Sequence, residues 1–288
     1  LERIEVLKGP QGTLFGKNAS AGVINILTQA PTFDWSAETE LTAGNYGLFG
    51  GSVSLNAPII EDVLAGRLYM AQRDRDGFMD VETGPGPRTL REDNDQDFTT
   101  VRGQLLAEPT DTLSARLIVD YTERDENCCA ATQVFIGQAA NSRANFVNAT
   151  RPGSIDTQPT PFDRQALSNR DTRQDVVDQG ASLEVNYDIT EDVTLTSITA
   201  ARSWEATVGQ DSDFTAADIV YRPSDGTNFT AFEQLSQEVR LAGRADALTW
   251  LVGGFYAREE LDAASVLLSG FDFYPYFFGR VLGGGPSL

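Results

Sequence analysis

Apolar and polar residues alternate along most of the chain from residue 36 onward. The segment 181–189 shows the pattern most clearly, because Ala, Leu, Val, Tyr and Ile alternate there with Ser, Glu, Asn and Asp. A period of two is typical of a β-strand with one apolar and one polar face. Segments of this kind predict about nine strands, at 36–44, 48–57, 63–74, 96–108, 112–124, 179–189, 192–207, 230–243 and 247–260.

In two of these predicted strands the alternation of apolar and polar residues is broken. In 192–207, Leu195 and Ile198 fall in opposite phases, and Trp250 and Leu251 do the same in the last predicted strand. A β-bulge, which inserts one extra residue into a strand, is one explanation for such a break.

The connections between the predicted strands alternate in length. Short connections, rich in turn residues, lie at 58–62, 109–111, 190–191 and 244–246. Long connections lie at 75–95, 125–178 and 208–229, and the last strand opens into 261–288. Short turns at one end and long loops at the other are typical of barrels in the bacterial outer membrane, whereas a β-sandwich has no reason for this alternation. The sequence therefore predicts an all-β fold, a transmembrane antiparallel up-and-down β-barrel, of which about nine strands are present.

Composition and charge exclude several classes of function. The chain has 22 Lys and Arg against 42 Asp and Glu, a formal net charge of −20, which argues against a nucleic-acid partner. There is no histidine, so a Ser-His-Asp triad, a Cys-His pair or a His-ligated zinc site cannot be built within this chain. These three kinds of catalytic or metal site are therefore excluded. No signal peptide is visible at the start, and no run of about 18 apolar residues predicts a membrane helix, but a spanning strand needs only about 9–11.

Residues 2–28 carry a long motif. They read ERIEVLKGPQGTLFGKNASAGVINILT. This segment resembles the last part of the plug domain of TonB-dependent outer-membrane receptors, with Lys8 where the family usually has Arg and Ala21 where a second Gly is common. SQEVRL at 236–241 and WLVGGFY at 250–256 resemble barrel strands of the same family.

The resemblance implies a plug inside a barrel of about 22 strands. The nine predicted strands are fewer than half of that number, so the chain is expected to be a fragment. Residues 1–34 would be the C-terminal end of the plug domain and 35–288 the N-terminal part of the transmembrane barrel. The TonB box, the rest of the plug and the later strands are expected to be missing.

The resemblance also implies a function and its partners. Extracellular loops and the plug would capture a scarce ligand, by default a ferric siderophore, with oligosaccharides, cobalamin and haem as alternatives. The TonB-ExbB-ExbD complex of the inner membrane would drive uptake, and outer-membrane lipid would surround the barrel. Such a receptor makes and breaks no bond, so we expect no catalytic residues, no resident metal and no cofactor. A passive porin or adhesin would explain the barrel but not the plug motif. A soluble all-β sugar-binding domain or enzyme would stay soluble without detergent.

The plug motif supplies the candidate site residues. The motif residues expected to be structural, serving tight turns and close packing, are Gly9, Pro10, Gly12, Gly16, Gly22 and Asn25. A phosphate loop fails around Gly16, because Gln11 and Asn18 break the P-loop pattern. Family plugs use basic latches to barrel glutamates, so Arg3 or Lys8 is expected to pair with Glu238. Ordinary solvated lumen charges are the alternative.

Three further features have alternative interpretations. The acidic segment 93–97 lacks the Gly and Glu of an EF-hand, which leaves a loop calcium site or a solvated acidic loop. Cys128 and Cys129 lie in a loop expected at the oxidising cell surface, where a disulfide between them or to another cysteine can form. The aromatic residues of 271–278 would contact ligand or, by the interpretation we favour, form the aromatic belt at a strand end.

Overall fold

A computed structural model describes residues 1–12, 19–132, 134, 147, 152–153, 160 and 162–278 of the 288-residue chain. Near the start, strands β1 (Arg3–Lys8) and β2 (Gly22–Leu27) form an antiparallel hairpin that belongs to no larger sheet among the described residues. Within the described ranges, no helix is long and apolar enough to cross a membrane.

The rest of the fold is built on one large sheet. In chain order the remaining strands are β3 (Ser36–Ala43), β4 (Phe49–Ile60), β5 (Leu64–Arg75), β6 (Met79–Glu82), β7 (Glu92–Asp93), β8 (Gln96–Thr110), β9 (Leu113–Asn127), β10 (Gln165–Leu167), β11 (Arg173–Thr190), β12 (Val193–Val208), β13 (Gln210–Asp211), β14 (Val220–Arg222), β15 (Phe229–Ala245), β16 (Leu248–Ala264) and β17 (Leu268–Ser269). Nine of them form a sheet in the order β3-β4-β5-β8-β9-β11-β12-β15-β16, with antiparallel neighbours throughout. The nine predicted strands are confirmed, and β11 begins well before its predicted start.

The sheet has two chemically distinct faces. Because side chains alternate across a strand, the cross-strand register assigns each residue to a face. We call the face that carries Leu55, Leu68, Leu105 and Leu117 the apolar face; these four side chains are 48%, 41%, 40% and 36% exposed. The opposite face, which carries Asn56, Arg67, Gln104 and Arg116, is the polar face. The predicted separation into one apolar and one polar side therefore holds across adjacent strands.

A bulge does not explain the broken phases of β12 and β16. Pairing of β12 with β11 is one to one from Thr194 to Val208, and pairing of β12 with β15 and of β15 with β16 is one to one along the paired residues. Ile198 instead lies on the polar face, opposite Glu184 and Glu238. The register shifts of the sheet fall beside short turns, near Pro58, Ala107 and Asp188. The broken phases therefore reflect apolar side chains on the polar face, so the bulge interpretation was wrong.

The long connections fold into a layer of their own. Two small sheets, β10-β6-β7 and β13-β14-β17, and the short helix α1 (Phe273–Phe277) lie within the connections that follow β5, β9, β12 and β16. We call this region the loop layer. Two small apolar clusters are buried in it, one formed by Met79, Val81, Ala130 and Ala166, the other by Val147, Ala217 and Ile219. The end of the large sheet opposite the short turns therefore carries packed structure.

Candidate functional site

The segment that follows the β1–β2 hairpin is held on the polar face by a buried asparagine. Asn56 of β4 is 2% exposed. Its Nδ2 donates to the carbonyl oxygens of Thr32, at 2.9 Å, and Asp34, at 2.5 Å, and its Oδ1 accepts from the Thr32 amide at 3.0 Å. One side-chain amide thus fixes the path of the chain as it enters β3.

Three longer side chains hold the same segment further along. Gln104 Nε2 of β8 donates to the Gln29 carbonyl at 3.1 Å, and an Arg116 guanidinium N–H of β9 donates to the Thr28 carbonyl at 3.3 Å. Arg116 also donates to Gln104 Oε1 at 2.6 Å, and Arg67 of β5 donates to the Gln29 side chain. We call residues 28–34 and these four side chains the junction. It ties the hairpin to strands β4, β5, β8 and β9 near their short turns.

Sequence reasoning missed the junction. All four wall residues fall in the polar phase of their strands, as the alternation predicts, but many other polar residues share that phase. A buried polar side chain needs a partner. Nothing in the alternation says which segment supplies it.

Two of the predicted latch residues, Arg3 and Glu238, have other partners in the described chain. Arg3 pairs with Glu5 at 2.7 Å and also with Glu2. Glu238 pairs with Arg240 of the same strand at 3.3 Å, and both side chains are partly exposed. The pairing of Arg3 or Lys8 with Glu238 therefore stays a prediction.

The glycine-rich motif closes the β1–β2 hairpin. Gly9 has φ +85°, and a Cβ on Gly22, at φ +150°, would lie 2.6 Å from the Leu7 carbonyl oxygen. The described motif residues lie at the hairpin end, Gly9, Pro10 and Gly12 after β1 and Gly22 at the start of β2, whereas Gly16 lies outside the described residues. Asn25, on β2, donates to Glu5 at 3.0 Å. A side chain at position 22 would push the two strands apart.

A buried ion pair anchors the loop layer. Asp93 is 0% exposed and accepts from the Arg88 guanidinium at 2.7 Å, from the Ala130 amide at 3.0 Å and from the Thr172 hydroxyl. Arg88 donates in addition to the carbonyl oxygens of Leu90, Glu92 and Arg170. These bonds join the connection after β5 to both ends of the connection after β9.

A second ion pair joins the remaining connections. Arg170 meets Asp218 through two N–H···O bonds, at 2.8 and 2.7 Å, and its guanidinium carbon lies 3.6 Å from the centre of the Tyr221 ring. The Phe271 amide donates to the same carboxylate at 2.9 Å. Burial opposes ionisation of Asp218, but the Arg170 guanidinium and the Phe271 amide outweigh it and hold its pKa below the usual value.

Asp211 is buried without an ion-pair partner among the described residues. It is 1% exposed and accepts from the Ser168 hydroxyl at 3.1 Å and from the amides of Asn169, at 2.9 Å, and Phe214, at 3.3 Å. Burial, and then the charge of nearby Asp213, raise the pKa of Asp211 to about 7. This carboxyl group therefore titrates near neutral pH at the joint between two loops.

The remaining predicted features have structural partners. Asp95, in the acidic segment, accepts from the Asn127 backbone amide at 2.5 Å and from its side chain at 2.7 Å. Over the described residues there is no group of three or more acidic or cysteine side chains arranged to hold a metal. Cys128 and Cys129 are joined by a vicinal disulfide.

The aromatic segment forms part of the loop layer. The rings of Phe273 and Phe277 stack in α1, with centroids 5.6 Å apart, and those of Tyr274 and Phe278 stack at 6.0 Å. The Asp272 amide donates to the Asp218 carbonyl at 2.7 Å, which seats the helix on the loop layer. Our preference for a strand end was therefore wrong, because this segment forms a helix whose residues Phe273 and Tyr276 pack against a buried apolar cluster of the loop layer.

No protein-family model matches the chain, but individual relatives do. The metal-pseudopaline receptor CntO of Pseudomonas aeruginosa is 33% identical over 85 residues, 29% of this chain and 12% of the relative. The ferric-pyoverdine 358 receptor of Pseudomonas putida is 26% identical over 164 residues, 56% of this chain and 19% of the relative. An iron-regulated outer membrane virulence protein of Vibrio cholerae is 36% identical over 98 residues, 32% of this chain and 15% of the relative. The matched segments span less than a fifth of the length of these relatives.

Solved structures share the fold over nearly the whole chain. The ferric yersiniabactin uptake receptor FyuA of Yersinia pestis superposes with a TM-score of 0.65 at 20% identity, covering 93% of this chain and 38% of that protein. The ferric-catecholate import receptor Fiu of E. coli K12 gives 0.64 at 16% identity, covering 94% and 42%. At these identities the likeness shows the fold.

Proposed function

We propose that this chain, which belongs to the TonB-dependent outer-membrane receptors, is part of a protein that imports a ferric siderophore by energised uptake. The junction is the observation that carries the proposal. A hairpin with the plug-end motif leads directly into a segment docked on the polar face of a wall of antiparallel strands. A passive pore has no need of such an internal segment.

The two faces of the sheet support the outer-membrane setting. Leucines and other apolar side chains of the apolar face are exposed, and in water this would be a large uncovered patch. Against lipid the same surface is favourable, since transmembrane barrels present an apolar band outward. The polar face then lines the interior. In this arrangement residues 1–34 are the end of the plug and 35–288 the first part of the barrel wall.

The loop layer supports capture at the cell surface. It lies at the end of the sheet with the long connections, which in outer-membrane barrels is the extracellular end. Its buried ion pairs hold separate connections in one arrangement, so a ligand would meet a preformed surface and less ordering entropy would oppose binding. The names of the relatives, receptors for metal-pseudopaline and ferric pyoverdine, make a chelated metal the ligand class that we propose.

Uptake would follow from movement of the plug. The TonB-ExbB-ExbD complex would pull on plug segments that precede residue 1, using the proton-motive force. In this chain, Asn56, Gln104 and Arg116 would hold the segment 28–34, which connects the plug to the barrel wall, while the remainder of the plug moves. In this proposal no bond of the ligand is made or broken.

Uptake of iron by cells tests the proposal. A strain lacking the complete receptor gene, grown under iron limitation, is given ⁵⁵Fe-labelled siderophores with and without the gene restored. We expect gene-dependent uptake that stops when an uncoupler collapses the proton-motive force. Uptake that persists after uncoupling would instead identify a passive porin, and no gene-dependent uptake of any ferric chelate would refute the proposed ligand class.

A further inference from the structure

Two arginines flank a phenylalanine in one row across the polar face. Arg73 of β5 lies directly opposite Phe98 of β8, and Phe98 lies directly opposite Arg124 of β9. The three residues stand an even number of positions from Arg67, Gln104 and Arg116, so they share the polar face with the junction. The Arg73 guanidinium carbon is 5.7 Å from the centre of the Phe98 ring, within cation–π range.

Neither guanidinium of this row is committed to a partner carboxylate. Arg73 and Arg124 form no ion pair or side-chain hydrogen bond with the residues that the structure describes. By contrast, Arg102 and Arg202, four positions nearer the short turns, both lie 3.4 Å from Asp120.

The cross-strand neighbours of the row are uncharged. Its next positions on either side, Gly50 beside Arg73 and Val176 beside Arg124, carry no charge. Glu126, two residues further along β9 on the same face, interacts with Arg124 and offsets part of its charge. The row therefore keeps a net positive charge in a chain whose overall charge is −20.

The position of the row suits a ligand that has entered from the loop layer. Six residues separate Arg73 from Arg67, which at about 3.3 Å per residue places the row about 20 Å from the junction, toward the long connections. A ligand resting above the docked plug segment would meet this part of the wall.

We propose that Arg73, Phe98 and Arg124 form a wall site for an anionic, aromatic metal chelate, such as a ferric tris-catecholate. Guanidinium groups make charge-assisted hydrogen bonds to anionic oxygens, and a ring between them offers a face for stacking with an aryl group. The site rests on the proposed function, because it assumes that ferric chelates pass through this interior. Within that ligand class, the site specifies a chelate that is negatively charged and carries aromatic rings.

Binding to the complete receptor in detergent tests the site. The probes are an anionic ferric tris-catecholate and a neutral ferric trihydroxamate, titrated against wild type, Arg73→Gln, Arg124→Gln and Phe98→Leu. We expect each arginine variant to weaken tris-catecholate binding about tenfold, the loss typical of one charge-assisted contact. Phe98→Leu should weaken it severalfold, and binding of the trihydroxamate should change less than about twofold. Arg258→Gln, on the apolar face beside Glu260, removes the same charge and should leave both affinities unchanged.

The outcomes separate the site from the function. Equal weakening for both probes, unchanged affinity in every variant, or a wild type that does not bind the tris-catecholate would overturn the site. The proposed function is judged independently by uncoupler-sensitive uptake of any ferric chelate in cells. Heat-modifiable migration on gels shows that each variant is a folded barrel.

Discussion

The two ends of the large sheet hold their attached segments by different chemistry. At the short-turn end, the junction uses neutral amides and arginine–carbonyl hydrogen bonds to fix residues 28–34. At the other end, the loop layer is fixed by the buried pair of Arg88 and Asp93 and by the bidentate pair of Arg170 and Asp218. Neutral hydrogen bonds each contribute about 1 kcal/mol, whereas breaking one partner of a buried ion pair costs about 3–5 kcal/mol.

This difference suits the two roles that we propose. A segment next to a moving plug is better held by several modest bonds that break one at a time. A surface that binds ligand is better held by buried ion pairs, which keep the loops in one arrangement until the loop layer unfolds as a unit. If the two ends differ in this way, breaking the buried pair of the loop layer will cost more stability than removing one side chain of the junction.

The largest effect is expected at Asp93. Asp93→Ala leaves the Arg88 guanidinium, 1% exposed at its side chain, without its carboxylate. We expect the loop layer to lose about 3–5 kcal/mol of stability, seen as faster proteolysis within the connection after β9 and a lower Tm.

An exposed carboxylate in the same layer is the matched control. Asp80→Ala removes an exposed side chain from β6 and should change neither measurement. If Asp93→Ala behaved like Asp80→Ala, the loop layer would not depend on its buried pair.

A smaller effect is expected at the junction. Asn56→Ala removes the side-chain bonds to Thr32 and Asp34 and leaves the Thr32 amide without its acceptor. We expect a loss of about 2 kcal/mol, local to residues 28–34 and measured as faster hydrogen exchange at Thr32. Asn45→Ala, at an exposed position, is the control. Exchange at Thr32 that did not rise would mean that the arginine and glutamine bonds suffice.

The large sheet could be predicted from the sequence, and the two attachment sites could not. Alternation is a local signal, and it located all nine strands. The buried pair of Arg88 and Asp93 is close in sequence, but its third partner, Thr172, is 79 residues from Asp93. The alternation places Asn56 on the polar side of its strand, but the neighbouring sequence does not indicate that Thr32 is its partner. Contacts across long connections depend on how the connections pack, and that packing leaves no period in the sequence.

The stability of the loop layer is also expected to depend on pH. Since burial raises the folded pKa of Asp211 to about 7, its proton stabilises the fold. That contribution is fully present below the unfolded value of about 4 and is lost as the pH rises through about 7. We expect the Asn169 amide, which donates to Asp211, to lose protection from exchange across this range after correction for intrinsic rates. Asp211→Asn cannot ionise and should remove the dependence; an identical pH profile in the variant would contradict the assignment to Asp211.

The smallest effect is expected at Glu238. Its carboxylate, 36% exposed, pairs with Arg240, which is 40% exposed, and pairs of this kind contribute about 0–1 kcal/mol. Glu238→Gln in the complete receptor should therefore lower the free energy of unfolding by less than about 1 kcal/mol. A loss of about 3–5 kcal/mol would instead indicate the buried latch to Arg3 or Lys8.

Combining Glu238→Gln with Arg3→Gln and with Lys8→Gln separates the cases, because only a real pair gives a double variant less destabilised than the sum of its single variants. The result would decide whether an ion pair, as well as the hydrogen bonds of the junction, holds the plug to the wall.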